Sequence, residues 1–374
     1  GIQNNLLNAG DNVSVTATFS ETPISAVIVE SGTATLTLVV GSANRTATLH
    51  SGSSTIVSGS DNASLVFQYT IQATGTSGEN DDDGISIGAN ALNSNSITIM
   101  DAAGNIATDL THSAVSDNTG YKVDTTELTV NSFTISDTLL VVGDNATVEL
   151  VFSEAVCADS SVCGVNVFSS ADINLDNATG LISTMSPNDN KTIWTGTFTP
   201  TTGREVDNNT LSLDTTYTDL AGNAGPSATT SNFEVETKAP TGSFTFTDYH
   251  FKLGDNATVT LVFSEVVVGF SSDADITIPD LDYGPGQGRA SGTLSTMTSS
   301  DNITWTGTFM PTFPNTEDWA NTLTLDNASY TDTVGNTGTA AESENYMVDD
   351  NDSSVISFTL SDTALKAGDN ATVT

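Results

Sequence analysis

One stretch recurs along this chain and limits what it can fold into: Gly-Asp-Asn, then a run alternating apolar and polar residues, closing on Phe-Ser-Glu. It runs from Gly143 to Glu154 and again from Gly254 to Glu265, with a looser copy from Gly10 to Glu21 and an abbreviated one from Gly368 to Thr374. Gly-Asp-Asn supplies turn chemistry. After it, Val148, Leu150 and Phe152 point one way and Thr147 and Glu149 the other, which is the period-two signature of a half-buried strand entered from a tight turn.

The copies also act as a ruler. Their glycines lie 133, 111 and 114 residues apart, and other landmarks keep step with them: Phe133, Phe244 and Phe358 ten residues before a glycine, Trp194 and Trp305 51 residues after one. A repeat of about 110 residues is too long for a solenoid unit and long enough to bury its own core. The expected domains are 1–125, a divergent unit missing its N-terminal strand; 126–238; 239–350; and 351–374, the start of a further unit. Opening and closing inside repeats, the chain is expected to be an internal piece of a longer polypeptide.

Units 126–238 and 239–350 match strand for strand. Both run from Ser-Phe-Thr (Ser132, Ser243) through the Gly-Asp-Asn strand to Ala-Asp-Ile (Ala171, Ala274), Ser-Thr-Met (Ser183, Ser295), Trp-Thr-Gly-Thr-Phe (Trp194, Trp305), Asn-Thr-Leu (Asn209, Asn321) and Tyr-Thr-Asp (Tyr217, Tyr330). Some seven short strands per unit, Gly/Ser/Asn turns between them and no helical periodicity predict an all-β fold of tandem antiparallel sandwiches, arranged as a rod by very short linkers. Within such strands the Phe and Trp landmarks read as core; a ligand platform is the competing reading. The first unit carries the Gly10 strand and several further strand-like runs but lacks Trp-Thr-Gly-Thr-Phe.

The pattern Gly-Asp-Asn-Ala-Thr-Val, Phe-Ser-Glu, Trp-Thr-Gly-Thr-Phe, Tyr-Thr-Asp-x-x-Gly-Asn and a closing Val-Asp or Val-Glu resembles the bacterial immunoglobulin-like repeats strung in tandem in large surface adhesins. It covers 126–350 well, 351–374 as far as they go, and 1–125 only at its two ends. The resemblance implies an extracellular sandwich module, often calcium-stabilised, serving as a stalk or spacer at the cell surface; surface-layer lattice proteins and the accessory or carbohydrate-binding arrays of secreted enzymes use similar repeats.

Charge narrows the partners. With 8 Lys+Arg against 46 Asp+Glu, a net charge of −38 repels phosphate backbones and anionic headgroups. Nucleic acid is not an expected partner, and the lack of a long apolar run excludes membrane insertion of this segment by a helix. The expected partners are neighbouring repeats and neighbours on the surface or in a lattice. His50, His112 and His250 are scattered over different units, with no nucleophile–base spacing, so no enzymatic activity is expected.

Two sets of residues remain. Cys157 and Cys163 flank an inserted five-residue segment; a small local disulfide is the expectation in an oxidising compartment, with free thiols or a metal pair as alternatives. Three sets of acids recur in register: Glu21, Glu154 and Glu265 after the Gly-Asp-Asn strand; Asp101, Asp219 and Asp332 in Asp-x-x-Gly-Asn; Asp124, Glu236 and Asp349 closing the last strand. In an immunoglobulin-like sandwich the first two loops share the pole at which the preceding domain ends. Asp124, Glu154 and Asp219 would then gather at one junction, and Glu236, Glu265 and Asp332 at the next, each a set of hard oxygen ligands suited to Ca²⁺. The alternative is that Asp-x-x-Gly-Asn is only a hairpin turn and the other acids are solvated. Asp81-Asp82-Asp83-Gly84 is a further candidate for an ion, or a solvated acidic turn.

Overall fold

The computed structural model describes residues 5–20, 23–27, 34–50, 64–73, 79–95, 98–101, 105–164, 166–176, 179–278, 291–312, 318–326, 329–349 and 352–374. They pack as two compact units. One comprises Gly1–Leu140, Asp144–Thr201 and Val206–Val235; the other comprises Val141–Gly143, Thr202–Glu205 and Glu236–Thr374.

The first unit holds two sandwiches. In the N-terminal one, β1 (Asn12–Thr18) pairs antiparallel with β2 (Ser64–Thr70), and the sheet continues through Ala43–Leu49 and Thr35–Val40 to Leu92–Asn93. In the other, β3 (Val130–Ile135) lies beside β4 (Ala146–Phe152), which lies beside β5 (Ile193–Pro200). Phe133 stands opposite Leu150, and Leu150 opposite Trp194.

Alternation decides which face goes inward. Ala146, Val148, Leu150 and Phe152 are buried, and full burial of side chains such as Val, Leu and Phe is worth about 1.5–3 kcal/mol each. Across the core, Phe168 meets Phe152, Trp194 and Tyr217 edge to face at ring separations of 4.8–5.5 Å. Trp194, 3% exposed, is therefore core rather than a platform for a ligand.

The second unit repeats this plan with β6 (Gly242–Phe246), β7 (Ala257–Phe263) and β8 (Thr304–Pro311). Phe244 opposes Leu261, Leu261 opposes Trp305, and Phe270 takes the place of Phe168 against Phe263, Trp305 and Tyr330. Tyr217 and Tyr330 each donate their hydroxyl to a backbone carbonyl nine residues on, Pro226 O and Thr339 O, both at 2.7 Å. The phenol of an otherwise apolar ring thereby keeps a partner in the core.

Three short elements differ from the expectation of strands alone. Ser160–Cys163 and Ser272–Asp275 are single helical turns, and Ser170–Asp172 is a 3₁₀ turn. Elements of three or four residues are too short to show a 3.6-residue period, so capping rather than pattern makes them. Asp159 accepts from Ser161 N–H at 2.8 Å, while Asp172 and Asp275 accept from Ser169 N–H and Ser271 N–H at 2.7 Å.

Candidate metal centre

Each sandwich ends on a short strand running parallel to a piece of chain near its own start. Lys122–Val123 pairs with Leu6–Leu7, Phe233–Glu236 with Leu139–Leu140, and Tyr346–Val348 with His250–Phe251. Asp124, Glu236 and Asp349 sit at the ends of these strands, and Asp124 N–H donates to Leu7 O and Asp349 N–H to Phe251 O at 2.9 Å. Asp124 Oδ1 then accepts from Thr126 N–H at 3.0 Å, as Glu236 Oε1 does from Lys238 N–H at 2.9 Å. The acid that closes the strand thus also shapes the linker.

Asp-x-x-Gly-Asn does what turn chemistry dictates. Asp219 Oδ1 accepts from Ala221, Gly222 and Asn223 N–H at 2.7–2.9 Å, and Asp332 Oδ1 from Val334, Gly335 and Asn336 N–H over the same range. Gly222 and Gly335 take φ of +97° and +101°, open to glycine without strain. The motif's Asn reaches further: Asn223 Nδ2 donates to Asp124 O at 3.1 Å and Asn336 Nδ2 to Glu236 O at 2.9 Å. This was legible only in part. The fixed Gly-Asn order was visible in sequence, but not that its amide binds the linker.

In the first unit this machinery brings three carboxylates together. Asp124, Glu154 and Asp219 each present an oxygen within 4.8 Å of the others, and among the described residues no other group of three His, Cys, Asp or Glu meets that condition. Asp219 is 1% exposed. Glu154 Oε1 is buried with no hydrogen-bond partner. Burial first, then the charges of Asp124 and Asp219, pushes the Glu154 carboxyl up to about 7; burial likewise raises Asp219 against the bonds from Asn223 and Gly222. A buried, unsatisfied anionic oxygen facing two more carboxylates is a donor set that fits a hard divalent cation.

In the second unit Glu236, Glu265 and Asp332 occupy the matching positions but do not converge to that degree. Burial raises both glutamates, Glu236 against its bond from Lys238 N–H and with repulsion from Glu205, Glu265 and Asp332, and Glu265 with repulsion from Asp332. Lys238, standing where the first linker has Thr126, donates its ammonium to Glu205 at 3.0 Å and lies close enough to act on Glu236 and Glu265. A resident cation thereby offsets part of the charge.

The first linker is clasped by a loop of the preceding sandwich, and the second is bound by Gly203 and Arg204 of its own unit. Glu79 N–H donates to Thr125 Oγ1 at 3.2 Å, Thr125 N–H donates to Asn80 Oδ1 at 2.9 Å, and Asp81 and Val123 exchange backbone bonds of 2.8 and 3.0 Å. At the second linker Gly203 N–H donates to Thr237 O at 2.9 Å and Thr237 N–H to Arg204 O at 2.7 Å. Sequence alone could not show the clasp, because Glu79-Asn80 and Gly203-Arg204 share no motif. Asp81 is engaged here as a cap, accepting from Gly84 N–H at 2.6 Å and Gly41 N–H at 2.7 Å. Glu79 is buried against Arg45 and Tyr69, and together with burial it pushes the Tyr69 phenol up to about 12.

Cys157 and Cys163 form a disulfide, Cα atoms 6.3 Å apart, that closes the helical turn capped by Asp159. His112 is tied to backbone, its Nε2 accepting from Ala91 N–H and its Nδ1 facing Ser113 O, both at 2.8 Å. Glu21 and the side chain of Asp101, the first unit's own members of the acidic sets, lie outside the described residues.

Paired sheets, an aromatic core and a buried tyrosine bound to backbone define the class: tandem immunoglobulin-type β-sandwiches. The bacterial Ig-like domain family matches residues 124–235 and 236–348, and the chain belongs to that family. Each matched segment begins at a linker acid, Asp124 or Glu236.

Among solved structures the chain is similar to the Escherichia coli adhesin FdeC, at 12% identity over 91% of this chain and 99% of that one, with a TM-score of 0.30. It is also similar to the I9–I11 tandem of titin (10% identity, 92% and 96% coverage, TM-score 0.29) and to the ectodomain of mouse nectin-like molecule 4 (11%, 94% and 98%, 0.27). No curated protein matches the sequence. Among the described residues no helix is long and apolar enough to cross a membrane.

Proposed function

We propose that this chain is a non-catalytic structural segment of a bacterial surface adhesin, a spacer outside the cell whose joints are stiffened by Ca²⁺. The observation that carries this reading is the convergence of Asp124, Glu154 and Asp219 within 4.8 Å. A linker acid and two loop acids of the next domain supply the ligands, so a bound ion ties the linker to that domain. Like charges this close repel by about 1–4 kcal/mol per pair at 4 Å, for effective dielectrics between water and a protein surface. A divalent cation reverses the sign of that interaction. The joint is therefore strained without calcium and fixed with it, while the aromatic cores are built independently of the ion. Family membership supports the surface setting, and the disulfide suits an oxidising compartment.

Calorimetric titration of the full chain with Ca²⁺, paired with small-angle scattering in calcium and in chelator, tests the proposal. A saturable site, and a scattering profile that narrows in calcium, are expected; Glu154→Gln should remove the tighter isotherm and the narrowing that goes with it. Absence of calcium binding by the wild-type chain would refute the calcium joint.

A further inference from the structure

The Cys157–Cys163 disulfide belongs to a segment that only one of the two matched sandwiches carries, and that sandwich is the one whose acids converge. In the second unit Val268 stands three residues beyond Glu265 and Thr331 one residue before Asp332, and the two exchange backbone bonds of 2.8 and 3.0 Å. Each amide of that pair finds its acceptor on the other segment. In the first unit the corresponding residues are Cys157 and Thr218, and one of the two bonds is rerouted. Cys157 N–H still donates to Thr218 O at 3.0 Å, but Cys157 O accepts from Phe168 N–H at 2.9 Å. Thr218 N–H donates instead to Asn166 O at 3.2 Å, and the Thr218 hydroxyl reaches the same oxygen at 3.4 Å. Thr218 is buried, so losing this acceptor would orphan an amide inside the sandwich.

The staple decides where that acceptor sits. Asn166 N–H donates to Cys163 O at 3.4 Å, and the disulfide fixes Cys163 to Cys157. These bonds at Asn166 are longer than the usual ~2.9–3.0 Å, so hydrogen bonding alone holds the loop weakly. The acids lie next along the same pairing, because Val156 bridges Asp219 and is two residues past Glu154. On the glutamate side the two units are held alike: Val156 N–H donates to Lys191 O and Val267 N–H to Asn302 O, both at 3.1 Å. The difference in support between the two sites therefore falls on the aspartate side, at Thr218.

On the reading that this joint binds calcium, we propose that the Cys157–Cys163 disulfide is a positioning element of the cation site: it holds Asn166 against Thr218 and so keeps Asp219 within reach of Glu154 and Asp124. The Asp219 turn is tied together internally, one carboxylate oxygen accepting from Ala221, Gly222 and Asn223 N–H, so it follows Thr218 as one body. Opening the bridge releases Asn166, and the three carboxylates lose their common centre. Outer-shell supports of metal ligands typically change affinity about 10–100-fold. Coupling between two equilibria is reciprocal, so calcium stabilises the disulfide by the factor by which the disulfide tightens calcium binding.

Calcium titration of the oxidised full chain, and of the chain carrying Cys157→Ala with Cys163→Ala, reads one side of this coupling. The tighter isotherm should weaken about tenfold or more in the double variant. The isotherm of the second joint, whose unit holds no cysteine, should keep its affinity. The other side is read on the wild-type chain, which keeps the test decisive should the double variant fail to fold. In a dithiothreitol redox buffer, two electrons and two protons pass from the dithiol to the cystine, giving the Cys157 and Cys163 thiols and the reagent's cyclic disulfide. Saturating calcium should shift that exchange toward the bridged form by the same factor, and Glu154→Gln should abolish the shift; a bridge that only stabilises the sandwich would not respond to calcium. Equal calcium affinity with and without the bridge, or an exchange equilibrium indifferent to calcium, would overturn the proposal and leave the calcium joint standing. Absence of calcium binding by the oxidised wild-type chain would instead refute the joint, and the positioning role with it.

Discussion

Replacing Glu154 by Gln isolates the electrostatics of the first joint. The folded carboxyl titrates near 7 rather than 4.5, because of burial and then the charges of Asp124 and Asp219. Between those values the folded state binds more protons than the unfolded one, so in the absence of a cation stability falls as pH rises from about 4.5 through 7. The full displacement corresponds to about 3 kcal/mol. Glu154 is only half-buried, and solvent screening reduces the figure to about 1–2 kcal/mol. Glutamine keeps the shape and carries no charge. In chelator at pH 8, Glu154→Gln should therefore be more stable than wild type by about 1–2 kcal/mol, raising the midpoint of the affected domain by roughly 4–8 °C per kcal/mol. At pH 4 the difference should vanish, since both states are then largely protonated. Calcium should reverse the order, because only wild type gains the linkage term that grows with ligand concentration over Kd. Scanning calorimetry of the full chain at both pH values, in chelator and in calcium, measures all four numbers. Equal midpoints for the two proteins in chelator at pH 8, or an equal rise of both in calcium, would refute the reasoning.

Three further outcomes follow from the same geometry. The joint of Asp124, Glu154 and Asp219 should bind calcium more tightly than that of Glu236, Glu265 and Asp332, and Lys238→Thr should strengthen the second; titration of Glu154→Gln and of Lys238→Thr separates the two isotherms. Alkylation without reductant should leave Cys157 and Cys163 unmodified in intact mass, and replacing both by Ser should cost about 2 kcal/mol, the chain-entropy value for so short a loop. Gly225→Ala should destabilise its sandwich severely, because a Cβ there would sit 2.2 Å from the Tyr217 ring, and thermal melting should show the loss.

The sandwich was legible because β4 and β7 satisfy a period of two with a turn signal in front, and because Phe133 and Trp194 fall opposite the same Leu150. A single repeat would have shown the strand; two repeats in step showed which residues share a pole. What could not be read is whatever depends on unrelated loops meeting. Phe168 and Phe270 lie at the centre of their aromatic clusters, yet an insertion stapled by Cys157–Cys163 separates Phe168 from its strand and hides the correspondence. The N-terminal sandwich was the least legible. Its β2 partners β1 where Trp-Thr-Gly-Thr-Phe stands in the other two, so no landmark carried over.

The two joints show where repeat logic stops being sufficient. Sequence register assigns three corresponding acids to each, and the backbone scaffolding obeys: strand-closing acid, capping Asp, and Asn amide on the linker carbonyl recur within a few tenths of an ångström. The side chains at the linker differ at two positions: Glu236 stands in place of Asp124, and Lys238 in place of Thr126 two residues beyond the acid. An ammonium beside Glu236 and Glu265 lowers the repulsion that would otherwise favour ion binding, and its bond to Glu205 holds the linker without any ion. Exposed, that pair contributes little to stability and weakens with salt. On a common backbone frame the two joints thus differ in charge at the linker, and the proposed calcium response is expected to be stronger at the first, with the second more sensitive to ionic strength.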